Sequence, residues 1–320
     1  MKHNIEPVIN PYFSCHQGLL STYASYQKRD YDMIFAESWG FHYEKGDCPF
    51  GKSLHPGYQK RRKLLLDKFH GIKIKDEQYA GKENLLELFT MILPYSPVII
   101  FQDVYDCPWN MSYKRNHINH YILVTGIEES TKALYALDPY STKDENIINV
   151  DCITRESGAI YSFVTTPLNN LKVEDYLEEI TTSLNHIKNS NFFHNIECFK
   201  NDFQTRFEEV MLSEYTDVYA IPLIININRI VNQRYCYCLF LNKMISKKLL
   251  DPSILNMVES IAEKYGLFRI LLIKQIMKKK RNNECLDIIS EIIRNEYEVY
   301  EKMKSFQITG DGTNDRNTTG

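Results

Sequence analysis

The sequence predicts an α+β protein in which an antiparallel sheet occupies the first half of the chain and helices dominate the second. Three observations predict this. Short apolar runs of strand length, rich in Ile, Val, Tyr and Phe and bounded by Gly, Pro or Asp, crowd residues 97–165. After Pro167-Leu168-Asn169-Asn170 the apolar period becomes 3.6 almost throughout. The 320 residues, 43% hydrophobic, suffice for one large core or two modest ones. The expected division is a sheet-bearing domain over residues 1–166, a mainly helical region over 167–306 and a disordered tail over 307–320. From Thr309 to Asn317 that tail offers no apolar anchor.

Four runs read as one sheet: PVIIFQDV at 97–104, HYILVTG at 120–126, ALYALD at 133–138 and AIYSFVT at 159–165. Ahead of them, 16–28 and 81–93 read as helices, the second with Leu85, Leu86, Leu88, Phe89 and Ile92 at helical spacing. Further helices are expected over 173–187, 195–212, 252–265, 267–281 and 284–304. Asp251 before Pro252 suits an N-cap followed by proline in the first turn, and Gly266 falls where a C-cap would end the helix. The stretch 219–241 is ambiguous between strand and buried helix.

Charge and cysteine usage narrow the function classes. The 38 Lys and Arg nearly balance the 41 Asp and Glu, for a net −3, which removes the whole-chain electrostatic argument for nucleic-acid or polybasic membrane binding. Met1-Lys2-His3-Asn4 lacks the apolar core of a signal peptide, and no 18-residue apolar run offers a membrane span, so the expected location is the cytoplasm. Eight cysteines at irregular spacing are too sparse for a disulfide scaffold and read as reduced thiols.

One of them stands apart. In Asn10-Pro11-Tyr12-Phe13-Ser14-Cys15-His16-Gln17-Gly18, a Pro-bearing loop ends at a plausible N-cap, Ser14, and puts Cys15 on the first turn of a helix. Unpaired N–H groups and the helix dipole stabilise a thiolate at such a position. The alternative reading is a buried, inert thiol.

A thiolate nucleophile needs a base, and the base needs an orienting group. His120 opens one apolar run and Asp138 closes the next. A hairpin turn over 127–132 centred near Glu129 would set His120 directly across from Asp138, with Cβ atoms roughly 4.5–5.5 Å apart. The carboxylate would then hold one ring nitrogen and leave the other for Cys15. The alternative is a strand-edge histidine beside an ordinary Asp-Pro turn.

A helix-initial cysteine, a distant histidine opening an apolar strand, and Asp-Pro after the next strand resemble the Cys/His/Asp arrangement of papain-like cysteine enzymes. More narrowly, Ser14-Cys15-His16, Pro97-Val98-Ile99-Ile100, Asp103-Val104-Tyr105, Pro108-Trp109, His117-Ile118-Asn119-His120 with its strand, and Asp138-Pro139 resemble the family of the butirosin biosynthesis protein H N-terminal domain. The resemblance covers residues 10–165. That family consists of papain-like acyltransferases that move an acyl group from a carrier-protein thioester to an amine.

The resemblance implies that Cys15 is the acyl-accepting nucleophile, His120 the general base and acid, and Asp138 the orienting carboxylate. It also implies an acyl or peptidyl carrier protein as partner, a small-molecule acceptor, and no cofactor beyond the carrier's phosphopantetheine arm, which is part of the substrate. Papain-like enzymes usually place a Gln several residues before the nucleophile. None lies between Met1 and Ser14, so Asn10 is the candidate oxyanion donor alongside the Cys15 N–H.

Asp103, Tyr105, Trp109 and His117 are candidate substrate-binding residues, with Tyr113 a further aromatic; core packing is the competing use. His117-x-x-His120 gives no convincing metal pair, because strand positions three apart face opposite sides, and no metal is expected. Cys236-x-Cys238 reads as two core thiols. The clusters Lys60-Arg61-Arg62-Lys63 and Lys278-Lys279-Lys280-Arg281 suit a solvated helix face or an acidic carrier protein. Two other functions remain compatible with the sequence: a cysteine peptidase or amidase, and a noncatalytic binding protein on the same scaffold.

Overall fold

Val98, Ile99, Ile100 and Phe101 are all buried, as a central strand covered on both faces requires. In the computed structural model, which describes residues 2–153, 157–212, 215 and 217–310 (side chains to 306), this run is β2, Val98–Asp103. The other strands are β1 (Ile72–Ala80), β3 (Asn119–Glu128), β4 (Ala133–Leu137), β5 (Glu145–Asn149) and β6 (Ser157–Thr165). They form one antiparallel sheet in the order β1-β6-β2-β3-β4-β5. Eight α-helices accompany it among the described residues, so the chain is α+β.

The chain separates into two compact units, and the division is not the expected one. The sheet unit comprises Met1–Tyr31 and Arg62–Asn170; the helical unit takes Asp32–Arg61 as well as Leu171–Gly320. The reason is aromatic. Residues 32–61 supply Trp39, Phe41, Tyr43 and Phe50, all buried. Phe41 meets Phe192 and Phe199 at 6.3 and 5.6 Å between ring centres, Phe50 stacks on Phe199 at 5.4 Å, and Trp39 lies 5.4 Å from Tyr237. The Trp39 indole also donates to Glu296 at 2.6 Å.

In the sheet unit, α3 (Lys82–Ile92) packs Leu85 and Phe89 against Val98, Ile100, Ile122, Val124, Leu134, Ala136, Ile148 and Ile160 on one sheet face. On the other, Tyr23 of α1 (Cys15–Tyr26) stacks on Phe163 at 3.8 Å. The third helix here is α2, Arg62–His70. Strands β1 and β5, absent from the expectation, are the two edges of the sheet. An edge strand buries little and carries charge, as Lys73, Lys75, Asp76 and Glu77 do, so its apolar signal is weak.

The helical unit contains α4 (Val173–Asn189), α5 (Phe192–Met211), α6 (Pro222–Ser246), α7 (Pro252–Lys278) and α8 (Glu284–Gly310). The ambiguous stretch 219–241 belongs to α6, so Cys236 and Cys238 lie on a helix and not along a strand. Asp251 caps α7 through the Ser253 N–H at 2.8 Å, but Gly266 does not end it. Ile254, Val258, Ile261, Ala262, Tyr265, Phe268 and Leu272 keep one buried stripe running through the glycine, and packing outweighs its low propensity. Arg234 and Glu296 form a fully buried pair at 2.9 Å, with Arg234 also donating to the Gly40 carbonyl at 3.1 Å. Helix α8 extends to Gly310, beyond the expected helix end at 304 and into the expected tail from 307, while 311–320 of that tail lie outside the described residues. No helix among the described residues is long and apolar enough to cross a membrane.

Candidate active site

Cys15 is the first residue of α1. The Asn10 carboxamide oxygen accepts from the Tyr12 N–H at 2.9 Å and its carbonyl from the Phe13 N–H at 3.1 Å, forming the turn that delivers the chain to the helix. Ser14 then caps it: the hydroxyl accepts from the Gln17 N–H at 3.3 Å, and the Gln17 side-chain oxygen accepts from the Ser14 N–H at 2.9 Å. This reciprocal box commits Gln17 to the cap. The Cys15 N–H remains a first-turn donor with no intrahelical acceptor. Asn10 therefore has a structural role in shaping the turn that precedes α1.

His120 and Asp138 meet, but not in the expected register. Leu123 pairs with Leu137 and Val124 with Ala136, which sets Asp138 beyond the end of β4 and nearer to Ile122 than to His120. The hairpin centres between Ser130 and Thr131 and not at Glu129, and a bulge between Val124 and Gly126 adds a residue to β3 that recovers part of this offset. Asp138 instead reaches His120 diagonally, two positions along the same face. The His120 Nε2 to Asp138 Oδ2 distance is 2.9 Å, with both side chains at most 3% exposed. The contact is close but its N–H is poorly aligned for a straight hydrogen bond. Cys15 is the second hydrogen-bonding neighbour of the imidazole, and with Nε2 on Asp138, Nδ1 is the nitrogen left for sulfur.

The electrostatics follow from these contacts. Burial pulls the His120 pKa down, but the hydrogen bonds and charges of Asp138 and Cys15 outweigh it and raise it to about 9. Burial likewise opposes ionisation of Asp138, yet His120, Trp109 and Ser141 hold its carboxyl below the ordinary range. His16, adjacent to Cys15, is held in a different environment from His120. Its Nδ1 faces Arg62 at 3.1 Å, its ring meets Tyr121 edge-on, and burial, with Arg62 and Lys63, pushes its pKa to about 3.

Trp109, expected as a substrate-binding residue, is half-buried and bonds the Asp138 carboxylate. Its indole N–H donates to Asp138 Oδ2 at 2.8 Å, the same oxygen that faces His120, and its ring packs on the sheet core. Sequence reasoning missed this bond because the two residues are 29 apart with a whole hairpin between them. It also missed Gly18, whose absent side chain leaves α1 against Pro139: a Cβ there would sit 3.4 Å from the proline ring.

Asp103, Tyr105 and His117 form a cluster of their own. Asp103 accepts from the Tyr105 and Ile118 N–H groups at 2.9 and 3.1 Å and meets His117 Nδ1 at 2.9 Å, while the Tyr105 and His117 rings stack at 4.3 Å. These bonds clamp the loop that runs from β2 back to His120. Tyr113 lies in the same loop, 40% exposed. Lys114 closes it further by bonding Asp106 at 2.6 Å over the Tyr105 ring. Among the described residues, no group of three or more His, Cys, Asp or Glu side chains is arranged to hold a metal.

The remaining cysteines contrast with Cys15. Cys107, Cys238 and Cys285 are buried, and burial raises each thiol pKa to about 12. Cys198 touches His194 at 3.4 Å on α5, a contact between neighbours one helical turn apart, outside the sheet unit. In comparison with known proteins, the chain matches no family model and no curated sequence.

Proposed function

We propose that the chain is a papain-like cysteine acyltransferase, similar to the butirosin biosynthesis protein H N-terminal family, which loads an acyl group on Cys15 and passes it to a small-molecule amine or hydroxyl in the cytoplasm. The observation that carries the reading is the buried His120–Asp138 contact with Cys15, at the start of α1, on the remaining side of the imidazole. An imidazolium beside a sulfur favours its anion, the form that attacks.

The Cys15 thiolate adds to the carbonyl carbon of a thioester held on a carrier protein's phosphopantetheine arm. The tetrahedral oxyanion draws on the Cys15 N–H, with Asn10 Nδ2 as second donor. Collapse breaks the carbon–sulfur bond to the carrier, whose thiolate takes the proton from His120. The acceptor amine then attacks the acyl-Cys15 carbonyl and gives its proton to the now neutral His120, and expulsion of the Cys15 thiolate restores the starting state. Asp138 stays ionised and holds the ring throughout.

Incubating the protein with carrier proteins bearing a range of thioesters, followed by intact mass, tests the proposal. The expected result is a single acyl adduct on the wild type and none on Cys15→Ala; no adduct with any thioester overturns it. Adding amines to the isolated acyl-enzyme separates transfer from hydrolysis.

A further inference from the structure

The helical unit holds a cavity of about 240 Å³ that the proposed chemistry does not use. Its wall is built from the 32–61 segment. Residues 42 and 55 form a two-bond bridge, His42 N–H to His55 carbonyl at 2.8 Å and the reverse at 3.0 Å, which brings their rings to 4.4 Å. Two glycines complete the wall, and neither position tolerates a side chain. A Cβ at Gly40 would lie 2.1 Å from the Pro56 carbonyl oxygen, and Gly57 has φ +83°, with its Cβ position 3.9 Å from His186 Nε2.

The polar groups around this cavity are mostly donors. The Gly57 N–H donates to His55 Nδ1 at 3.1 Å, so the neutral His55 ring carries its hydrogen on Nε2. His42 is engaged elsewhere, with Nε2 on Glu44 at 3.1 Å. Glu37, the cavity's carboxylate, is 7% exposed and one of its oxygens accepts the Arg61 N–H at 3.0 Å. The Lys60 and His186 side chains make no hydrogen bond or ion pair among the described residues, and the Phe41 ring supplies an apolar side. Lys60, His55 and His186 thus line, with Glu37, a space too small for a drug-sized ligand.

We propose that this cavity binds a small oxyanion, a carboxylate or phosphate group held by Lys60, His55 and His186, with its carbon portion against Phe41. Burial, and then the neighbouring His42, lower the His55 pKa, and an anion beside the ring would act in the opposite direction. The site is independent of the Cys15 chemistry.

The test is a histidine-ring NMR titration of the full chain with sodium phosphate and, separately, sodium acetate, each against sodium chloride at matched ionic strength. Saturable shifts of the His55 and His186 resonances, with His3 unmoved, are expected. Lys60→Ala, an exposed position, should weaken binding about tenfold, as loss of one charged hydrogen bond does. Saturation by phosphate alone or acetate alone identifies the anion. Shifts that chloride reproduces overturn the proposal, as do saturable shifts that both Lys60→Ala and His55→Phe leave unchanged.

Discussion

Trp109 and His120 share one oxygen: Asp138 Oδ2 accepts the indole N–H at 2.8 Å and faces the imidazole at 2.9 Å. The tryptophan thereby helps to keep Asp138 ionised and fixes the direction of its carboxylate. Trp109→Phe keeps the ring's packing and removes the donor. Loss of a hydrogen bond to a charged group costs about 1.5–3 kcal/mol of stability, so the variant should keep its fold with a lower unfolding free energy, and Cys15 acylation should slow as Asp138 loses its fixed direction. Single-turnover rates on the two proteins, with circular dichroism as control, check this.

Asp138→Asn removes the charge that most strongly favours protonated His120. The His120 pKa should fall from about 9 towards its ordinary 6.5, read from its ring resonances across a pH series. An unchanged value would remove Asp138 from its orienting role.

The same pair makes stability depend on pH in a stated direction. His120 titrates higher in the folded chain, so its contribution is complete below pH 6.5 and disappears as pH rises through about 9. Asp138 titrates lower, so its contribution is present above pH 3.8 and is lost as pH falls through its depressed folded value. The difference in urea midpoint between wild type and Asp138→Asn should therefore be widest between pH 3.8 and 6.5 and shrink towards pH 10.

Gly18 sets how closely the nucleophile helix approaches Pro139. A methyl group fits at 3.4 Å, so Gly18→Ala should be neutral or stabilise by up to about 1 kcal/mol through helix propensity. Gly18→Leu overfills the contact, should cost about 1–3 kcal/mol, and should slow acylation by displacing Cys15 from His120. Thermal melts and acylation rates of both variants separate the two effects.

Gly266 lies inside α7 with nothing within 4 Å of a Cβ position. Gly266→Ala should raise stability by about 1 kcal/mol, visible as a higher melting temperature. If Gly266 ended a helix, the same change would destabilise the protein.

Much of this architecture was legible because the buried strands carry strong apolar runs and the helices carry long 3.6 periods. Cys15, His120 and Asp138 were legible because each sits at the end of such an element, where pattern and punctuation coincide. What escaped depends on contacts distant in sequence. The register of His120 against Asp138 turns on where the hairpin centres and on one bulged residue, neither of which the apolar pattern reveals. Trp109 and Asp103 were both read as substrate-binding residues from their neighbours in sequence; that one also bonds the Asp138 carboxylate and the other also ties a loop was not legible. The allegiance of Trp39, Phe41 and Phe50 was hidden for the same reason, since their partners lie some 150 or more residues downstream.

That allegiance bears on the order in which the protein is made. Cys15 emerges from the ribosome before residues 32–61, and His120 and Asp138 after them, yet that intervening stretch finds its aromatic partners only once α5 and α6 have been translated. A fragment stopped at residue 170 would contain every member of the triad and still leave Trp39, Phe41, Tyr43 and Phe50 without the helices that cover them. The sheet unit is thus not a separable cassette, because the stretch 32–61 inserted in it belongs to the helical unit's core.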